Sequence, residues 1–137
     1  VNRTEFQRLT DTRLREAKVL FKAGEYSGAY YLAGYAVECA LKACFAKGVK
    51  RFDFPDKSRV QKIFTHKLPE LAELANLKTE LATEKQLNRK FESSWSEVCK
   101  WSEERRYSVS TRAEADAILD AITRRKDGVL PWIKRRW

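Results

Sequence analysis

Arg105-Arg106-Tyr107, the acid–base pair Glu38 and Lys42, the tyrosines Tyr31 and Tyr35 and the only histidine, His66, are the residues of this chain whose types and spacing could do chemistry. Arginine and lysine meet phosphate oxygens, and tyrosine rings stack on bases. Tyr31, Tyr35, Glu38 and Lys42 recur at steps of four, three and four, which sets them on one face of a helix. As a surface pair, Glu38 and Lys42 would contribute only about a few tenths of a kcal/mol. If the late helix before Arg105 ran on unbroken, Arg105 would project with Leu87 and Val98, and Arg106 would lie about 100° away. One of the two arginines is therefore expected to be partly desolvated. Two compatible roles follow: it pairs with Glu38 and locks the packing, or Arg106, Tyr107, Tyr35, Glu38 and Lys42 line a ligand cleft doubled across a dimer axis. His66 reads as a helix-start residue making a local hydrogen bond, with ligand contact as the alternative. A single histidine and scattered cysteines (Cys39, Cys44, Cys99) lack the spacing of a zinc site, so no metal and no cofactor are expected.

The elements that must position these groups are helical. Over residues 26–47, Tyr26, Tyr30, Ala33, Val37, Leu41 and Cys44 form a core-facing stripe, with the Tyr31/Tyr35/Glu38/Lys42 stripe roughly opposite. A helix apolar on nearly every side is usually surrounded by other helices or by a partner chain. Before it, residues 4–23 form an amphipathic helix whose apolar arc holds Phe6, Leu9, Leu14, Ala17, Leu20 and Phe21, with Arg13 snorkelling at its edge. Gly24 caps that helix, and the short link implies an antiparallel hairpin. Residues 49–64 lack periodicity and read as a basic surface loop that Phe52 and Phe54 can tuck down. Thr65 or His66 then lies near the N-cap of a short helix with Pro69 in its first turn. Leu87, Phe91, Trp95, Val98 and Trp101 mark a fourth, aromatic-faced helix between Thr79 and Glu104, and Thr111 caps a fifth over about 112–126. The expectation is one all-α domain spanning 1–137, an up-and-down bundle of four to five helices. Its core lies over about 5–125, with a basic aromatic C-terminal tail at 128–137.

The 28 Lys and Arg against 19 Asp and Glu give a net charge of +9, which favours a polyanionic partner over a membrane. The excess is concentrated in residues 47–67, with seven basic against two acidic side chains, and in residues 105–137, with nine against four. Both segments interleave aromatics with cations, so contact with a phosphate backbone competes there with a merely solvated surface. The three cysteines, an odd number without a CxxC, fit a reducing cytoplasmic compartment, and neither a signal peptide nor a membrane span is expected.

Three blocks then carry a resemblance: A-x-x-L-F-x-A-G-E-Y-S-G-A-Y-Y-L-A-G-Y-A-V-E-C-A-L-K-A, T-H-K-L-P-E-L, and E-E-R-R-Y-S after the aromatic helix. In this order and at these separations they resemble the HEPN superfamily over roughly residues 5–125. The resemblance implies a four-to-five-helix bundle, commonly a homodimer. Such domains act as nucleotide- or RNA-associated modules, as partners of small nucleotidyltransferases in toxin–antitoxin pairs, or as metal-independent ribonucleases. By position, Glu38 and Lys42 match the polar pair of the second helix, His66 the Thr-His-x-Leu turn, and Arg106-Tyr107 the Arg-Tyr element.

The ribonucleolytic members resemble one another in an arginine followed, four to six residues later, by a histidine near the end of the late helix. Arginine can stabilise the anionic phosphorane while histidine moves protons. Here that histidine is missing, since Tyr107, Ser108, Val109, Ser110, Thr111 and Arg112 follow Arg106. Arg59 and His66 match the spacing, but at the wrong place, and with 14 arginines such a match arises easily. The leading expectation is a non-catalytic or weakly catalytic module, homodimeric through the second and fourth helices. It would bind nucleotide or RNA through Tyr31, Tyr35, Glu38, Lys42, His66, Arg105, Arg106 and Tyr107, beside a nucleotidyltransferase or another toxin–antitoxin or defence component. The alternatives are a divergent endoribonuclease, with Arg106 on the phosphate and Glu38 or Tyr107 transferring protons, and a pure interaction and dimerisation module.

Overall fold

A computed structural model describes residues 1–49, 54 and 56–137. The described residues form eight α-helices and one short 3-10 helix, and the regular structure is helical throughout. Helix α1 (Arg3–Lys22) starts in a capping box: Asn2 accepts from the Glu5 amide, and the Glu5 carboxylate accepts from the Asn2 amide. It ends at Gly24, whose φ of +80° is the left-handed region that glycine enters without a Cβ penalty. Helix α2 (Tyr26–Gly48) folds back against α1 and touches α4, α7, α8 and the 3-10 helix as well, so it is the central post of the molecule.

That position explains the composition of α2. Ala29, Ala33, Ala36, Ala40 and Ala43 are fully buried around its circumference, where small side chains let neighbours approach. Gly34 is the extreme case, because a Cβ there would run into the indole of Trp101. The stripe Tyr30, Ala33, Val37, Leu41 and Cys44 is buried as its spacing predicts, and Tyr26 is half-buried at its end. Arg13 on α1 is half-buried and pairs with Glu16 at 2.9 Å.

Beyond α2 come α3 (Lys57–Lys62) and α4 (Leu68–Leu74, with Pro69 in its first turn), then α5 (Lys78–Leu87) and α6 (Arg89–Cys99). The 3-10 helix (Glu103–Tyr107), α7 (Arg112–Thr123, with a Thr111/Glu114 capping box) and α8 (Val129–Lys134) complete the chain. None of the helices among the described residues is long and apolar enough to cross a membrane.

Four to five helices were expected, and the difference has local causes. The aromatic helix expected over 79–104 is three elements. At Asn88 the backbone is extended (φ −132°, ψ 98°) and the side chain accepts from the Phe91 amide, so the residue ends α5 and caps α6. Leu87, placed in the aromatic stripe by its spacing, is consequently 80% exposed, whereas Phe91, Trp95, Val98 and Trp101 are buried. After Cys99 the chain leaves the α-helix and resumes as the 3-10 helix that carries both arginines.

Two surface expectations also change. Asp56 caps α3, a helix inside the stretch read as loop, and Phe54 is fully exposed rather than tucked in; Phe52 and Pro55 lie outside the described residues. The C-terminal segment is a core element rather than a basic tail: Val129, Leu130, Trp132 and Ile133 are buried among α2, α6 and α7. Two of its three cations are tied down, Lys134 to Asp11 at 2.7 Å and Arg136 to Glu80 with its guanidinium 3.9 Å from the Trp132 ring centroid, while Arg135 is exposed. Lys67 takes the N-cap position of α4, directly after Thr65 and His66, and its amide donates to Thr65 Oγ1 at 3.2 Å.

Candidate functional site

Glu38, on the central helix, is only 1% exposed. Taking a carboxylate out of water is costly unless opposite charge and hydrogen bonds compensate. Here one oxygen, Oε1, accepts from Lys42 Nζ at 2.8 Å and meets His66 Nδ1 at 2.9 Å, while Oε2 is buried without a hydrogen-bond partner among the described residues. The Glu38–Lys42 pair is thus buried, with the lysine side chain 13% exposed, and is not the surface pair that i, i+4 spacing alone would allow. His66 reaches across 28 positions of sequence to a neighbouring element, which replaces the local helix-start bond expected for it.

The chain of contacts continues through the other ring nitrogen. His66 Nε2 lies 3.3 Å from Glu103 Oε2, and Glu103 Oε1 accepts from Arg106 at 2.8 Å. Both nitrogens of His66 therefore face carboxylate oxygens. Arg106 lies over the Tyr107 ring at 4.8 Å, and Tyr107 itself is 79% exposed. The Tyr107 side chain, then Glu103 and the Tyr31 hydroxyl, hold the Arg106 guanidinium in its charged form.

Tyr31 and Tyr35 are half-buried and lie parallel, with centroids 6.3 Å apart and planes at 8°. Tyr31 also faces Trp101 at 6.0 Å, whose indole N–H donates to the Tyr31 carbonyl at 3.1 Å. Burial, then the neighbouring Cys39 and Glu38, pushes the Tyr35 hydroxyl's pKa up, so it stays a neutral donor. Between the start of α4 and the 3-10 helix opens a cleft of about 670 Å³ lined by Thr65, His66, Trp101, Ser102, Glu103 and Glu104 among others.

Arg105 is not part of this arrangement. It donates to Ser110 Oγ at 2.9 Å and Glu114 Oε2 at 2.8 Å, and stacks 4.3 Å over Tyr30, a core residue. Arg105, together with the Thr111 amide and hydroxyl, pulls the Glu114 carboxyl from its ordinary 4.5 down to about 2. The expected lock between one of the two arginines and Glu38 is therefore absent, since Glu38 uses Lys42 and His66 instead. The physical reason is that the α-helix ends at Cys99 and the chain resumes as a separate 3-10 helix, which carries Arg105 to Ser110 and Glu114 rather than on along the axis of α6. Arg59, the spacing match to His66, is held elsewhere, with its guanidinium on the Leu74 carbonyl and 5.6 Å from the Phe45 ring. Among the described residues no group of three or more His, Cys, Asp or Glu side chains is placed to hold a metal ion.

The structure thus brings Glu38, Lys42, His66 and Arg106 into one line of contacts, with Tyr31, Tyr35 and Tyr107 beside it, and leaves Arg105 out. Sequence reasoning missed Glu103, which joins His66 to Arg106. Its only local signal is a carboxylate three residues before Arg106, at ion-pair spacing.

No curated protein and no solved structure matches the chain when compared with it. A family model does, the HEPN domain, over residues 8–124. That span takes in most of α1, the central helix with its buried Glu38, the His66 turn and the 3-10 helix with Arg106, and on it the chain belongs to the HEPN domain family.

Proposed function

We propose that this HEPN domain is a nucleotide- or RNA-binding module whose contact surface is Tyr31, Tyr35, His66, Arg106 and Tyr107, with Lys42 holding Glu38 behind it. The observation that carries the reading is the continuous line Lys42–Glu38–His66–Glu103–Arg106 beside two parallel tyrosine rings. A guanidinium backed by an exposed tyrosine, next to an aromatic pair, offers phosphate and base their usual partners. Arg105, absorbed by Glu114 and Tyr30, belongs to the scaffold in this reading. The module works as a homodimer across the half-buried Tyr31/Tyr35 face and beside a second component, for which a small nucleotidyltransferase of a toxin–antitoxin or defence pair is the family's characteristic choice. Binding without efficient cleavage accords with the missing late-helix histidine.

Fluorescence titration with a labelled oligoribonucleotide and with ATP, at low and high salt, tests this. Arg106→Ala should weaken binding about tenfold, the equivalent of one charge-assisted phosphate contact, and Arg105→Ala should leave affinity near that of the parent. Absence of salt-dependent binding, or equal behaviour of the two arginine variants, would sink the proposal.

One observation favours a second reading, an endoribonuclease: His66 is held from behind by a buried carboxylate, the arrangement that orients an imidazole for proton transfer. Glu38 itself is too buried to reach a ribose hydroxyl, so His66 rather than Glu38 would transfer the proton. Incubation of RNA with the protein in EDTA separates the two readings, the enzyme leaving 2′,3′-cyclic phosphate ends that are lost in His66→Ala.

A further inference from the structure

Glu103 sits where an anionic ligand would sit. Its two carboxylate oxygens face His66 Nε2 at 3.3 Å and Arg106 at 2.8 Å, and the carboxylate forms part of the wall of the cleft between α4 and the 3-10 helix. The two groups it bridges come from different elements, and each is braced independently of it. His66 is pinned through Nδ1 by Glu38, which is in turn held by Lys42, and Arg106 lies on Tyr107. An imidazole and a guanidinium held in place in this way before any ligand arrives are preorganised for an anion. The Glu103–Arg106 contact is by contrast a half-exposed i, i+3 pair, with side chains 31% and 45% exposed, a kind that contributes little and exchanges readily.

We infer that His66 Nε2 and the Arg106 guanidinium form a phosphate seat which Glu103 occupies in this state, and that a phosphate group of a nucleotide or RNA binds by displacing the Glu103 carboxylate. The inference rests on the binding function proposed above and deepens it by naming the atoms that take the phosphate and the side chain that competes for them. A phosphate offers more acceptor oxygens and, at a chain end, more charge than a carboxylate, and guanidinium matches it with paired N–H donors. The other carboxylates at the cleft do not fill this role: Glu70 is tied to Thr65 at 2.9 Å and to Lys67 at 3.7 Å, and Glu104 is exposed with no ion pair among the described residues. Glu104 therefore acts only as a rim charge that repels an anion, whereas Glu103 both repels and blocks. A binding-competent state populated only in part lowers apparent affinity by that fraction, so freeing the seat raises it.

The test compares the parent with Glu103→Gln, Glu103→Ala, Glu104→Gln and the double variant Glu103→Gln/Arg106→Ala. The ligands are inorganic pyrophosphate and oligoribonucleotides with and without a 5′-phosphate. Because the chain has one histidine, the imidazole resonances in a proton–nitrogen spectrum report on His66 alone. Both Glu103 variants should bind pyrophosphate about tenfold more tightly than the parent with a clear shift of the imidazole signals, Glu104→Gln should gain about twofold or less, and the double variant should lose the gain. A preference for the 5′-phosphorylated oligonucleotide assigns the seat to a terminal phosphate, and equal affinity assigns it to the internal phosphodiester. The inference is overturned if the Glu103 variants bind no more tightly than Glu104→Gln, or if the imidazole signals stay still as anion is added. If parent RNA binding depends on Arg106 and yet these signals do not move, the binding function stands and the seat falls. If pyrophosphate moves them and no RNA or nucleotide binds, the seat stands and the binding function falls.

Discussion

Among the described residues, Glu38 is the charged side chain that the core buries. Its carboxylate is buried with one oxygen serving two partners and the other serving none among the described residues, so most of its stabilisation comes through Lys42 and His66. Removing one member of a buried pair leaves the other charge without compensation. Glu38→Ala should therefore destabilise the fold by about 3 kcal/mol, read as a lower urea midpoint at unchanged slope. A loss below about 1 kcal/mol would mean that Lys42 finds water as easily as it found the carboxylate. The cysteines are a contrasting case: burial pushes Cys39, Cys44 and Cys99 each up to about 11, which leaves them protonated at neutral pH and serving as small apolar groups.

At the scale of elements, the decisive piece is the junction of the 3-10 helix with α7. Arg105, Ser110, Thr111 and Glu114 form one set of hydrogen bonds there, in which the Thr111/Glu114 capping box starts α7 and Arg105 ties it to the preceding turn. The Glu114 carboxyl has a folded pKa of about 2 against an ordinary 4.5, so the junction's contribution is fully present above about 4.5 and is lost as the pH falls toward 2. Thermal melts followed by circular dichroism should show the parent losing stability across that window, and Glu114→Gln should be less stable at neutral pH with a flatter acid profile there. Equal slopes for the two proteins would mean that Glu114 does not couple the turn to α7. The break at Asn88 belongs to the same scale, because one polar side chain that satisfies a free amide can interrupt an apolar spacing that otherwise continues.

For the molecule as a whole, the core extends beyond the segment matched by the family model. That match ends at residue 124, yet Trp132 on α8 is 1% exposed and lies 5.4 Å from Phe91 of α6, and Ile133 is fully buried. Truncating the chain after Gly128 strips that face from α2, α6 and α7, and burying aromatic surface is a main source of stability in a domain of this size. The shortened chain should lose its sharp thermal transition, or melt far below the parent, and the substitution Trp132→Ala alone should cost about 3–5 kcal/mol. A truncated form that melts like the parent would make α8 an ornament. The positive charge of this region is distributed accordingly, with Lys134 and Arg136 spent on Asp11 and Glu80 instead of offered to a polyanion.

What the sequence by itself determined is what depends on near neighbours along the chain. The all-helical class, the central position of residues 26–48, the buried Tyr30/Val37/Leu41 stripe and the α1–α2 hairpin all follow from periodicity, small residues and a capping glycine. The same local logic put Tyr31, Tyr35, Glu38 and Lys42 on one face. Only the tertiary structure decided what that face meets. Glu38 takes His66, Arg106 takes Glu103 and Arg105 turns to Glu114, because a 3-10 turn replaces the α-helix that periodicity extends through residue 104. Each of those choices depends on an angle set by a few backbone residues and on a partner delivered by another element, and neither is written in the spacing of apolar side chains.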